Sequence, residues 1–150
     1  MTTITETAIQ VYQVFIKASP EQIWDAITKP EFTQKYLYGT RSQYDLRPGG
    51  KFISLAGDSE DVMVDGEVQE SDPPRKLVHT WLVHYDPEMA TEQASRVTWE
   101  IEPQDGGFAK LTVVHDQLEA SPRTAATVAG GWSFVLSGLK TLLETGKPLT

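Results

Sequence analysis

Between Thr40 and Asp116 the chain is cut by turn-forming clusters into runs in which apolar and polar residues alternate, and a single long stripe of helical period follows them. The clusters are Arg47-Pro48-Gly49-Gly50, Gly57-Asp58, Asp72-Pro73-Pro74, Asp86-Pro87 and Asp105-Gly106-Gly107. Period-two alternation bounded by Gly, Pro and Asp is the pattern of strands joined by tight turns, so six strands are expected at about 41–46, 50–56, 61–70, 75–85, 95–102 and 108–116. Such a meander is antiparallel. It presents one apolar face, carried by Val62/Val64/Val68, Leu77/His79/Trp81/Val83, Val97/Trp99/Ile101 and Leu111/Val113/His115, and that face needs a cover.

The cover is the last element. Ser121-Pro122 opens a helix that closes near Gly146, with Pro148 just beyond. On it Val128, Trp132, Val135, Leu136, Leu139, Leu142 and Leu143 form a stripe about 120° wide, as a helix lying on a core requires. Gly130-Gly131 interrupts the stripe and predicts a kink or a close approach there. Phe134 falls outside it, to pack on the short helices or to mark a dimer contact.

Ahead of the meander, residues from about Ala8 to Lys17 form a strand partly buried on both sides, with Tyr12/Val14/Ile16 on one face and Val11/Gln13/Phe15 on the other. Ser19-Pro20-Glu21-Gln22 then starts a short helix, because Ser can cap it, Pro fits its first position and Gln can reach back to the cap. Pro30 ends that helix, and a second short one runs from Glu31 to about Tyr36. The order of elements is that of an α+β domain, expected to be single over 1–150 with its core at about 8–146.

Composition narrows the function classes. With 13 Lys+Arg against 21 Asp+Glu the net charge is −8, and no basic cluster offsets it, so neither nucleic acid nor a membrane surface is expected as a partner. There is no cysteine, which removes disulfides, thiolate nucleophiles and sulfur-ligated metals. Met1-Thr2-Thr3-Ile4-Thr5-Glu6 has neither the basic nor the apolar region of a secretory leader, and a cytoplasmic location is the expectation.

Five pieces in order carry a resemblance: Ala18-Ser19-Pro20-Glu21-x-Ile23-Trp24, Leu46-Arg47-Pro48-Gly49-Gly50-x-Phe52, Gly66-x-Val68, Pro74-Arg75-Lys76-Leu77-Val78-x-Thr80-Trp81 and Gly131-Trp132-x-x-x-Leu136-x-x-Leu139. The sequence resembles the Hsp90-ATPase-activator-like branch of the START/Bet v 1-like superfamily over roughly residues 11 to 145. The resemblance implies a helix-grip fold, a curved antiparallel sheet wrapped around the long C-terminal helix with a cavity between them. It also implies a possible chaperone partner. Many relatives carry Trp where this chain has Tyr36, which implies a more polar pocket edge.

Catalytic motifs are missing: there is no G-x-S-x-G, H-E-x-x-H, P-loop or G-x-G-x-x-G after a strand. Asp65, Glu67, Glu100 and Glu102 alternate with the apolar set and are expected on the solvated face. His84 has the parity of that same face. Pairing centred on the 86–93 loop and the Asp105-Gly106 turn sets position 115 near 97 and 82, which leaves His79 and His115 roughly 14 Å apart, too far to share a metal. Neither a metal nor a cofactor is expected.

Four tryptophans are the informative residues, since Trp81, Trp99 and Trp132 fall on inward stripes. They either fill the core or line a cavity with their indole N–H groups as polar handles. The candidate lining is Tyr36, Tyr38, Phe52, Val64, His79, Trp81, Trp99, Val113, His115, Trp132, Val135 and Leu139. The leading expectation is binding of a small apolar or aromatic molecule there. The alternatives are a protein-interaction module of the chaperone-partner kind, or a cofactor-free cyclase or hydrolase with His115, Tyr36 or Tyr38 as acid/base groups. A homodimer is possible in any of these.

Overall fold

In a computed structural model, described over residues 8–150, the alternating runs pair into one seven-stranded antiparallel sheet of order β1-β7-β6-β5-β4-β3-β2. The strands are β1 (Gln10–Ile16), β2 (Thr40–Tyr44), β3 (Lys51–Ala56), β4 (Val62–Asp72), β5 (Lys76–Val83), β6 (Ser95–Gln104) and β7 (Phe108–Asp116). Two short helices follow β1, namely α1 (Pro20–Thr28) and α2 (Pro30–Tyr36), and the long helix α3 (Pro122–Thr145) closes the chain. This is the α+β helix-grip architecture. The Met1–Glu6 segment lies outside the described residues.

Local chemistry sets the helix ends. Ser19 accepts from Gln22 N while the Gln22 side chain accepts from Ser19 N, so α1 starts on a complete capping box. α3 ends at Gly146, whose φ of 78° is the left-handed cap that glycine adopts without a Cβ clash. The start of α3 departs from the expected pattern, because the Ser121 hydroxyl donates to Gln93 O and makes no cap. Glu92 serves instead, its carboxylate accepting from Arg123 N, Thr124 N and the Thr124 hydroxyl. Burial alone raises the pKa of Glu92, but these hydrogen bonds outweigh it and hold the carboxyl below its ordinary value. α3 runs unbroken through Gly130-Gly131.

The core lies between the concave face of the sheet and α3, with Ile16, Leu77, Val97, Ile101, Leu111 and Leu139 sealed within it. A smaller cluster of Phe52, Val64, Val83 and Met89 closes the β3–β5 end. There Met89 sits on a 3₁₀ turn (Met89–Thr91) between β5 and β6. Gly66 is required on β4, because a Cβ there would lie 2.1 Å from Thr80 O of the neighbouring strand.

Side chains from the helices occupy both free edges of the sheet. At β2 the Thr33 hydroxyl of α2 donates to Thr40 O at 3.0 Å and accepts from Ser42 N at 2.9 Å. At β1, Lys140 of α3 donates to Phe15 O at 2.7 Å, and Glu144 accepts from Lys17 N at 2.8 Å. Among the described residues no helix is long and apolar enough to cross a membrane.

Candidate functional site: an aromatic cavity under the long helix

The concave face is ordered in rows across β5, β6 and β7. His79, Val97 and His115 form one row, Leu77, Trp99 and Val113 the next. Position 115 does pair with 97, but 97 pairs with His79 and not with 82. The expected offset between the histidines is therefore corrected: they lie in register, two strands apart, or about 10 Å by strand spacing. The error came from the centre of the β5–β6 connection. Trp81 pairs with Ser95, which places that centre at residue 88 and leaves the 3₁₀ turn on the β6 side.

Each histidine is held by a tryptophan. Trp99 Nε1 donates to His79 Nε2 at 3.0 Å, and Trp132 Nε1 donates to His115 Nδ1 at 3.0 Å. An indole can only donate, so both receiving nitrogens carry a lone pair. His79 therefore bears its proton on Nδ1, which donates to Thr80 O at 2.9 Å. His115 bears its proton on Nε2, 2.7 Å from Ser95 Oγ, whose own proton goes to Trp81 O. Burial keeps both neutral, lowering His79 to about 4 and, with the neighbouring His79 adding to it, His115 to about 3. Neither imidazole has a nitrogen left over for a metal or a substrate. Among the described residues no group of three or more His, Asp or Glu side chains gathers as a metal site. His84 bonds Asp65 at 2.8 Å on the outer face.

Beside this filled half of the sheet lies a cavity of about 340 Å³, between α3, strands β3 to β5 and the Leu37–Thr40 connection. Five of the twelve candidate residues line it: Tyr38, Val64, Trp81, Trp132 and Val135. Phe52, His79, Trp99, Val113, His115 and Leu139 are buried in the core and do not line it. Tyr36 faces a separate hollow of about 560 Å³ with Tyr38, Phe134 and the Pro148–Thr150 tail. Its hydroxyl is spent on Ala26 O at 2.7 Å, so it adds no polarity to the cavity edge.

The lining includes residues that alternation does not reveal. Met63 has outward parity, but a register shift between Ser54 and Leu55 leaves it as the extra residue of a bulge, and it joins the lining beside Val64. Tyr85, just beyond β5, closes the same side. At the mouth stands Tyr38, exposed, with a left-handed φ of 53°. It stacks on Phe134 with ring centroids 5.6 Å apart. A Cβ on Gly131 would lie 3.4 Å from the Tyr38 hydroxyl, so the close approach expected at Gly130-Gly131 is made by this phenol.

The interior is aromatic and uncharged. Trp81 and Trp132 meet with centroids 5.9 Å apart, and among the described residues no Asp, Glu, Lys, Arg or His borders the space. Trp81 Nε1 is buried with no hydrogen-bond partner among the described residues.

The sequence model of the activator of Hsp90 ATPase homolog 1-like family matches residues 17–144. The chain belongs to that family. Among curated proteins none matches the sequence. Among solved structures, this family member is similar to a protein from Mesorhizobium loti, at 25% identity and TM-score 0.73, with 91% of this chain and 96% of that one covered. It is also similar to an Hsp90 activator from Plasmodium falciparum, at 21% identity and TM-score 0.68, covering 94% and 98% of the two chains. The Aha1 dimer from Colwellia psychrerythraea shares 20% identity with it at TM-score 0.67, covering 93% and 98%. The last two likenesses establish the shared fold.

Proposed function

We propose that the chain binds a small apolar or aromatic molecule in the cavity between sheet and α3. The observation that carries this reading is the cavity of about 340 Å³ walled by Trp81, Trp132, Val64 and Val135, within the size range of small-molecule sites. A chain of this length can fill such a space with side chains, and it fills the neighbouring β5–β7 region with Trp99, His79 and His115. Apolar surface buried against the rings contributes on the order of 25 cal/mol per Å² before association costs. Titration of flat aromatic and aliphatic compounds against tryptophan emission tests the reading, with Trp132→Phe as the companion. Emission that no compound perturbs, together with unchanged behaviour of Trp132→Phe, assigns the indoles to the core.

A second reading is a co-chaperone module, favoured by the matching family and by the fold shared with the Plasmodium falciparum Hsp90 activator. Its test is the ATPase rate of an Hsp90-type chaperone with the chain added to saturation. Stimulation that falls as salt rises supports it, and no stimulation removes it.

A further inference from the structure

Resting on the reading of the cavity as a ligand site, we propose that its ligand is an uncharged aromatic molecule bearing a hydrogen-bond acceptor, and that Trp81 Nε1 is the donor that recognises it. Two independent features of the lining lead there.

The first is charge. Among the described residues no carboxylate, ammonium, guanidinium or imidazole borders the cavity, and the two imidazoles behind its wall have both nitrogens engaged. A carboxylate entering this space would shed its water with no cation to meet it, inside a chain of net charge −8. An ammonium ligand would find aromatic faces but also an indole N–H whose positive end opposes it.

The second is the donor itself. Of the other polar groups of the lining, the Tyr38 and Tyr85 phenols belong to exposed residues, the Thr40 hydroxyl donates to Leu37 O at 2.7 Å, Thr127 donates to Met89 Sδ at 3.8 Å, and Ser54 Oγ accepts from Ser42 at 3.4 Å. The indole N–H of Trp81 is buried and unmet among the described residues. Three tryptophans meet around this region, and the other two, Trp99 and Trp132, each donate to a histidine. A buried donor left unmet is costly, and an acceptor supplied from outside the fold removes that cost. The nitrogen is sealed in the present ring position. The indole packs against Phe52, His115 and Trp132 with centroids 5.7–5.9 Å apart, so binding as proposed turns this ring, with no hydrogen bond to break, to bring Nε1 to a carbonyl lying between Trp81 and Trp132.

The experiment compares four naphthalenes of one shape by calorimetry on the parent chain and on Trp81→Phe: acetylnaphthalene, its isopropenyl isostere, naphthoate and a naphthyl trimethylammonium. The expected result is that acetylnaphthalene binds the parent about tenfold more tightly than the isopropenyl isostere, the effect of one buried hydrogen bond. That ratio falls to about one in Trp81→Phe, because the donor is gone while the loss of ring volume weakens the two neutral isosteres alike. Naphthoate and the ammonium bind more weakly than either neutral compound. Equal affinity of the two neutral compounds for the parent, a preference that survives Trp81→Phe, or tightest binding of a charged compound overturns the assignment while leaving the cavity a binding site. Failure of all four to bind overturns the site itself. A Trp81→Phe chain that does not fold is replaced by Trp81→Met, which also lacks the donor, and the same loss of preference is required.

Discussion

Trp132 on α3 hands its indole proton to Nδ1 of His115 on β7, and this bond joins the long helix to the sheet at the centre of the core. The same pairing within the sheet, Trp99 to His79, makes the aromatic half of the core a hydrogen-bonded layer and not only a packed one. A layer of this kind fixes which way each ring faces, and so fixes the wall of the adjoining cavity.

Replacing Trp132 by Phe keeps most of the ring volume but leaves His115 Nδ1 without its donor. The expected loss is about 1–3 kcal/mol, the cost of a buried acceptor left unmet. Trp132→Ala adds a cavity and is expected to cost about 3–5 kcal/mol. Urea unfolding of the two variants beside the parent measures both, and a Phe variant as stable as the parent contradicts the role given to the bond.

The histidines set the response to acid. Both have folded pKa values below the ordinary 6.5, about 4 for His79 and about 3 for His115, so the unfolded chain takes up protons that the folded chain refuses. Their contribution to stability is whole above pH 6.5 and is lost as pH falls toward the folded values. The slope approaches about 1.4 kcal/mol per pH unit for each histidine. The measurement is the urea midpoint at steps from pH 7.5 to 4, with His79→Gln expected to flatten the slope. A midpoint constant over that range would show that the rings titrate freely in the fold.

Tyr38 stands at the mouth of the cavity. Its ring is 64% exposed and stacks on Phe134 at the mouth, so Tyr38→Ala is expected to change stability by less than about 0.5 kcal/mol. Ligand association and dissociation should both speed up severalfold. Stopped-flow mixing with a compound that binds the parent reads this directly, and rates identical to the parent's would remove Tyr38 from the path.

Thr33→Val tests the edge of β2. The substitution is close to isosteric, but it removes the hydroxyl that meets Thr40 O and Ser42 N, and Thr33 is buried. A loss of about 1–3 kcal/mol is expected in thermal or urea unfolding. Ser19→Ala, at the exposed capping box of α1, is expected to cost about 1 kcal/mol by the same measurement.

Much of the architecture is legible in the sequence because its signals are local. Alternation and turn clusters mark the strands within a few residues, and Ser121-Pro122 and Gly146 bracket α3. What was not legible depends on register. A bulge turned Met63 inward against its parity, and an off-centre connection brought His79 level with His115. The cap of α3 comes from Glu92, some thirty residues away, and no spacing rule reaches that far. Trp81, Trp99 and Trp132 were visible as inward residues, but only the rows of the sheet separate Trp99, in the core, from Trp81 and Trp132, in the lining.

The occupied edges of the sheet bear on how the chain survives at high concentration. An open sheet can grow by accepting a strand from another molecule, and such growth is the start of most β-rich aggregation. Here two of the backbone groups a newcomer would pair with on β2, Thr40 O and Ser42 N, are held by Thr33, and at the end of β1 Lys140 takes Phe15 O while Glu144 takes Lys17 N just beyond the strand. Recruitment of a foreign strand at these positions is expected to require α2 or α3 to peel from the sheet. The rate of aggregation is then set by partial opening of a helix, and ligands or solutes that hold α3 down would protect the chain in proportion.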